Sequence, residues 1–288
     1  MRCPASSPRI YLPLTLSRLL FLLLTALSIA NTRQSAMGQP VFSGARSAAL
    51  GGASTAFPDD AAGQVNPAAW GQTDTRILAL HGAQLYGLPE LRFAGLHLVV
   101  PFQRGAIAGG ASVFGFDLYR HFVLGAGYGR RFGFGTHREV HAGVRTEWNQ
   151  VYIANHGQAG ALGLTAGVLL PITPFISLGA AAHNLTAFAG PLRSDLRRCL
   201  AVGAAWRPSE TFAMTTDIAK ETRSPLSIAA GIEIRLTEVL ALRGGIASGP
   251  RRASGGIGLS LASVRADFAV QRHGILGWTP SMSFLYSW

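Results

Sequence analysis

Apolar and polar residues alternate one by one along most of the chain after Thr73. The clearest stretch is 138-REVHAGVRTEWNQ-150. If it forms a strand, one side carries Val140, Ala142, Val144, Thr146 and Trp148. The other side would carry His141, Gly143, Arg145, Glu147 and Asn149. Because successive side chains of a β-strand point to opposite faces, this pattern predicts a strand with one apolar and one polar face.

The same alternation returns in segments of about ten residues, separated by turn signals. We predict fourteen strands, at residues 75–85, 91–101, 105–115, 118–131, 137–149, 159–170, 174–185, 198–207, 210–220, 225–236, 238–248, 253–262, 264–272 and 277–288. Segments of this length in an even number are typical of bacterial outer-membrane β-barrels, in which apolar side chains meet lipid and polar ones line the lumen.

A short apolar run marks the N-terminal region. The run 19-LLFLLLTALSIA-30 follows three arginines and is too short for a membrane-spanning helix, whereas its length suits the core of a signal peptide. Small residues at suitable spacing allow cleavage after Ala30 or after Gly38. We favour the second position, so residues 1–38 are predicted to be the signal peptide of an exported protein.

Composition narrows the fold class. Hydrophobic residues make up 48% of the chain and charged residues 14%, whereas a soluble domain carries about 25% charged residues. No apolar run of about 18 residues follows Ala30, so spanning helices are not expected. The membrane fold that remains is the closed barrel. We therefore predict an all-β protein, a transmembrane antiparallel β-barrel of about 14 strands over residues 73–288; a soluble, secreted β-rich binding protein is the alternative.

The basic charge does not point to a nucleic-acid partner. The formal net charge is +11, but the arginines are scattered, mostly near predicted turns, and form no basic stripe with interleaved aromatic residues. We predict no nucleic-acid binding. Cys199 is the single cysteine of the predicted mature chain, so no internal disulfide is expected.

The sequence contains no recognisable motif for catalysis or metal binding. His137 and His141 stand four residues apart, but no third ligand follows at a useful spacing, so we predict neither a metal site nor a cofactor. No carboxylate pair stands isolated in apolar surroundings, so we predict no catalytic residue and no enzyme. Four acids are instead candidates for charge pairs in the lumen: Asp217, Glu221, Glu233 and Asp267. Their candidate partners are Arg235, Arg243 and Arg265.

Residues 39–72 have the composition of a segment that tucks into the lumen and plugs it. Gly51 and Gly52 permit tight turns, and Asp59-Asp60 suit a helix cap or a bond to an arginine of the lumen. Pro67 holds the backbone of Asn66 extended and frees its amide for the neighbouring backbone. These six residues are our candidate plug motif.

The last strand carries a second candidate motif. In 277-GWTPSMSFLYSW-288, four large apolar residues share one face: Met282, Phe284, Tyr286 and Trp288. A terminal aromatic residue on such a strand resembles the signal that barrel-assembly machinery reads on outer-membrane proteins. The strand would also supply part of an aromatic girdle at the membrane edge.

Several motifs near the start carry a resemblance to a known family: 44-GARS-47, 50-LGGA-53, Asp59-Asp60 and 66-NPA-68. Their order and spacing resemble the opening of the PorV/PorQ group of outer-membrane proteins, a relative of the FadL-like (OMPP1) transporters. The stretches 231-GIEIRL-236 and 255-GGIGLSL-261 are similar to the closing glycine-rich strands of that group. One departure stands out, because family members often continue with Gly-Leu where this chain has Ala69-Trp70.

The resemblance implies a bacterial outer-membrane protein and two alternative roles. The PorV/PorQ side implies a component or accessory of a secretion system of the type IX kind. The FadL side implies a channel for small hydrophobic compounds. Expected partners are the lipid bilayer and the barrel-assembly machinery, with either secretion-system subunits or hydrophobic small molecules.

Overall fold

The computed structural model of the protein describes residues 43–57, 64–134, 138–185, 196–222 and 224–288. The predicted signal peptide, Asp59 and Asp60 lie outside these residues. The described part of the chain contains no helix with the length and apolar character needed to cross a bilayer.

The described residues form fourteen β-strands: β1 Ile77–Gln84, β2 Arg92–Phe102, β3 Gly105–Phe116, β4 Tyr119–Phe134, β5 Arg138–Ile153, β6 Gly157–Pro171, β7 Ile176–His183, β8 Cys199–Ser209, β9 Phe212–Glu221, β10 Ser227–Arg235, β11 Leu240–Ser248, β12 Arg251–Leu261, β13 Val264–His273 and β14 Gly277–Ser287. Helical pieces are short: the helix α1 at Ala45–Ala49 and 3-10 turns at Pro67–Gln72 and Leu85–Gly87. All fourteen predicted strands are present, with β4 and β5 longer than predicted and β7 shorter.

Each strand pairs antiparallel with its neighbours in sequence, and β1 pairs with β14 to close a barrel. The closing seam runs from Ile77 opposite Ser287 to Ala83 opposite Ser281. The predicted closed antiparallel barrel of fourteen strands is confirmed. We call the end where β1 begins and β14 finishes the proximal end, and the opposite end, with the connection 184–198, the distal end.

The two faces of the wall differ as the alternation predicts. On β5, Val144 and Trp148 are 50% and 39% exposed on the outer face, whereas His141 and Arg145 are 2% and 6% exposed in the lumen. The other strands repeat this division, with Leu, Ile, Val and aromatic side chains exposed outside and small or polar residues inside. The barrel thus has an apolar exterior and a polar, glycine-rich interior.

Candidate functional site in the lumen

The lumen holds a stretch of chain from before β1. Residues 43–57 and 64–72, which we call the inner segment, pack against the inner wall of the barrel. Helix α1 contacts β11 to β14, and the turn Pro67–Gln72 contacts β3 to β6. Most of the inner segment is buried. It therefore follows the inside of the wall around much of its circumference.

Wall glycines allow the inner segment to lie this close. A Cβ added to Gly231 would stand 2.6 Å from the carbonyl oxygen of Leu50. A Cβ added to Gly256 would stand 2.7 Å from the Cβ of Ala49. Other wall glycines meet the inner segment in the same way: Gly127, Gly129, Gly143, Gly167, Gly179, Gly203 and Gly245. Since real Cβ atoms do not approach other atoms so closely, larger residues at these positions would displace the inner segment.

A chain of alternating charges ties the inner segment to the wall. Arg46 donates to both Glu233 oxygens, from Nε to Oε2 at 2.8 Å and from Nη2 to Oε1 at 2.9 Å. Arg243 donates from Nε to Glu233 Oε2 and from Nη1 to Asp267 Oδ1, both at 2.6 Å. Arg265 Nε donates to Asp267 Oδ2 at 3.1 Å. Each carboxylate thus lies between two guanidinium groups, which compensates the burial of both charge signs.

The predicted charge pairs are confirmed for Glu233 and Asp267 and wrong for the rest. Arg235 lies 3.8 Å from Glu210 at the exposed proximal end, and Glu221 lies 3.2 Å from Arg197 instead. Asp217 Oδ2 accepts hydrogen bonds from the inner segment, from Ser54 N and Thr55 N at 2.9 Å and Thr55 Oγ1 at 2.7 Å. Backbone amides and a hydroxyl take the place of the expected arginine, because this part of β9 faces a turn of the inner segment.

The candidate plug residues that the structure describes occupy turns of the inner segment. Gly51 and Gly52 have φ angles of +73° and +89°, which favour glycine. Asn66 is extended before Pro67. Its Nδ2 donates to Thr55 O at 2.8 Å and to Val168 O on β6 at 3.1 Å, and its Oδ1 accepts from Ala68 N at 3.1 Å. The Asn66 amide thus joins the two parts of the inner segment to the wall.

The candidate assembly signal lies on the outer face of β14, from the middle of the strand to its proximal end. All four of its side chains are exposed: Met282, Phe284, Tyr286 and Trp288. The Tyr286 and Trp288 rings stack with centroids 5.4 Å apart. The structure therefore presents them outward, and their recognition by assembly machinery stays a prediction.

A small cavity remains in the lumen between the inner segment and strands β1 to β5. Its volume is about 40 Å³. Apolar lining comes mainly from Trp70, Ile77, Val99, Ala108 and Val123. Polar lining comes from Gln64, His97, Ser112, Arg145 and Glu147. An apolar cavity of about 150 Å³ is known to hold benzene, so this conformation leaves too little room for a compound of that size.

The polar groups of the cavity are largely paired with one another. Arg145 donates from Nη1 to Gln64 O at 2.8 Å and from Nη2 to Glu147 Oε2 at 3.1 Å. His97 makes a ring contact with His81 across 5.5 Å. Within the described residues no group of three or more His, Cys, Asp or Glu side chains is arranged to hold a metal ion. The cavity is thus an apolar space with a few oriented polar groups, the usual character of a small-molecule site.

The outer face of the same wall sector carries a broad apolar hollow of about 450 Å³. Leu80, Leu96, Val113, Phe122 and Phe284 surround it. Small residues form its bottom: Gly82, Ala94, Gly95, Ala111 and Ser112. Because Ala111 and Ser112 of β3 line both spaces, a single layer of backbone separates the cavity from the hollow.

Comparisons with known proteins agree on the architecture. No protein-family model and no curated protein sequence matches the chain. Among solved structures, the CymD monoaromatic hydrocarbon channel matches 86% of this chain and 98% of its own with a TM-score of 0.61 and 16% identity. The described barrel shares its fold with this solved structure.

Two further structures share this fold. The toluene transporter TbuX of Ralstonia pickettii matches 85% of this chain and 97% of its own, with a TM-score of 0.60 and 15% identity. A Pseudomonas aeruginosa FadL homologue also matches 85% of this chain and 97% of its own, with a TM-score of 0.55 and 13% identity. The FadL side of the resemblance is thus supported as a likeness of fold, and no comparison supports the PorV/PorQ side.

Proposed function

We propose that this protein is an outer-membrane channel for small hydrophobic compounds and that the inner segment is its plug. The observation that carries the proposal is a closed barrel with an apolar exterior, against whose inner wall the described part of the N-terminal chain packs beside a small, mostly apolar cavity. The likeness of fold to the CymD channel and the TbuX transporter supports this function over the secretion role. Those two proteins are described as a monoaromatic hydrocarbon channel and a toluene transporter.

The distribution of side chains supports a position in the membrane. Large apolar residues cover the outer face of every sector, as in transmembrane barrels, and the buried ion pairs lie inside. A soluble protein rarely exposes so continuous an apolar surface. Proximal turns are short, and the two strands joined by the long connection 184–198, β7 and β8, meet it at their distal ends. By the usual pattern of such barrels the proximal end would then face the periplasm.

The contacts of the inner segment support its role as a plug. The Arg46–Glu233 pair, the bonds of Asp217 to Ser54 and Thr55, and the Asn66 amide fix it at several points around the wall. A hydrophobic compound that crosses the lumen must therefore move part of this segment. Such a plug would hold the channel closed until the segment moves.

Uptake by whole cells tests the proposal. A Gram-negative host that overproduces the protein should take up the hydrophobic dye N-phenyl-1-naphthylamine faster than a host carrying an empty vector, because the barrel bypasses the lipopolysaccharide barrier. A hydrophilic dye of similar size serves as the control for general leakiness. Equal rates of uptake of the hydrophobic dye in the two strains, with the folded barrel present in the outer membrane, would reject the function.

The secretion role and the soluble alternative are tested separately. Co-purification of the native protein with secretion-system subunits would favour an accessory role. Recovery of the exported chain as a monodisperse protein in buffer without detergent would reject a membrane barrel. We expect instead that the protein needs detergent and migrates differently in SDS gels before and after boiling.

A further inference from the structure

Trp70 lies where the inner segment crosses strand β4. Its side chain is almost fully buried, with 3% of the residue exposed. The indole lies in a groove made by two glycines of β4. A Cβ on Gly127 would stand 2.5 Å from Trp70 Cζ3, and one on Gly129 would stand 2.8 Å from Trp70 Cβ. The wall is therefore shaped to accept a large flat side chain at this position.

The indole also packs beside the neighbouring sector of the wall. It belongs to one apolar cluster with residues of β1, β2, β3 and β14: Ile77, Ala79, Val99, Ala106, Ala108 and Leu285. Ile77 is the first residue of β1, Ala106 the second of β3, and Leu285 lies near the end of β14. The cluster thus lies in the proximal part of the lumen, and Trp70 forms the proximal boundary of the cavity.

We infer that the Trp70 side chain is the stopper that separates the cavity from the proximal end of the channel, and that its position limits the size of the compound that passes. This inference rests on the proposed function. The cavity of about 40 Å³ is well below the roughly 150 Å³ that accommodates benzene. A single aromatic ring therefore fits only when the indole leaves its groove.

The rest of the inner segment need not move with the indole. The strongest polar attachments hold residues 46–55, through Arg46 to Glu233 and through Ser54 and Thr55 to Asp217. The turn Pro67–Gln72 carries no charged residue, and Trp70 is held by apolar packing. A small movement of this turn would open the cavity while the attachments of residues 46–55 stay in place.

Three variants test the stopper. Trp70→Ala should raise the rate of hydrophobic dye uptake several-fold, and Trp70→Phe should raise it less, because a smaller ring leaves part of the groove filled. Phe57→Ala is the matched control, because Phe57 is the other buried aromatic residue of the described inner segment, lies between Arg46 and Arg207, and does not line the cavity. Each variant is first checked for heat-modifiable migration in SDS gels, which requires a folded barrel.

A second measurement leaves Trp70 in place. All five tryptophans lie in the described residues, and the other four are exposed outside the lumen: Trp148, Trp206, Trp278 and Trp288. Replacing these four with Phe makes Trp70 the single tryptophan reporter. We expect a brominated detergent to leave its emission unchanged and bromobenzene, which quenches on contact, to reduce it.

The outcomes separate the stopper from the function. Wild-type dye uptake with no increase in Trp70→Ala, or Trp70 emission that bromobenzene leaves unchanged, would overturn the stopper and leave the channel function standing. If no variant and no wild-type protein takes up the dye, the channel function fails. An increase in Trp70→Ala that Phe57→Ala reproduces in full would also overturn the stopper, because any loosening of the inner segment would then suffice.

Discussion

Replacing Arg46 with Gln tests the attachment of the inner segment most sharply. The change removes the charged donor of two hydrogen bonds, of 2.8 and 2.9 Å, to Glu233 of β10. Both side chains are nearly buried, with 10% and 5% exposure. Removal of one partner from a buried ion pair costs about 3–5 kcal/mol. Because Arg243 still donates to Glu233 at 2.6 Å, we place this cost at the lower end, about 3 kcal/mol.

A loss of about 3 kcal/mol corresponds to roughly a hundredfold change in an equilibrium constant, since about 1.4 kcal/mol is tenfold. If release of the inner segment opens the lumen, Arg46→Gln should raise the open probability of single channels in planar bilayers by roughly that factor. Arg235→Gln is the matched control, because its 3.8 Å pair with Glu210 is exposed and contributes little.

The same recordings can refute the reasoning about the charge chain. An Arg46→Gln channel with the open probability of the wild type would show that Arg46 does not hold the inner segment closed. Raised salt should matter little for the wild type, because buried pairs are weakly screened. An increase in open probability with salt as large as the effect of Arg46→Gln would point to surface charges instead.

Three further predictions follow from the wall. Gly231→Val should unseat the inner segment and raise conductance, because its side chain would meet Leu50, whereas Gly244→Val, on the outer face, should not; equal conductance of the two would contradict the role of the wall glycines. Val144→Arg should destabilise the barrel in lipid vesicles by about 2–4 kcal/mol if Val144 lies near the bilayer midplane, measured by urea unfolding against Val144→Leu, and an unchanged stability would argue against lipid contact. Trp288→Ala should lower the folded fraction in outer membranes more than Trp288→Phe, and normal assembly of both would remove the terminal aromatic residue from the assembly signal.

The strands of the barrel wall could be predicted because each strand's alternation of apolar and polar residues is visible within its own short stretch of sequence. Residues 138–150 reveal both faces of β5, since lipid and lumen demand opposite side chains at successive positions. Glycine and threonine on the inner side of 160–171 indicate room inside the barrel. The strand ends were predicted less well, because β4 continues past its predicted limit to Phe134 at the proximal end and β5 continues past its limit to Ile153 at the distal end.

The contacts of the lumen could not be predicted, because they join residues far apart in the chain. Arg46 and Glu233 are 187 positions apart, and nothing in the local sequence pairs them. Asp217 was expected to meet an arginine, but the backbone of Ser54 and Thr55 lies opposite it. Trp70 could be noticed from the sequence alone, because the PorV/PorQ group often has a leucine at the position where this chain has a tryptophan.

The most direct test of the account is the conductance of a chain that lacks residues 39–72, behind an intact export signal, in planar lipid bilayers. Heat-modifiable migration first establishes that the shortened barrel is folded. The account predicts long-lived ion-conducting openings in the shortened barrel and rare, brief ones in the full chain. A folded, shortened barrel with the same low conductance as the full chain would contradict the claim that the inner segment plugs the lumen.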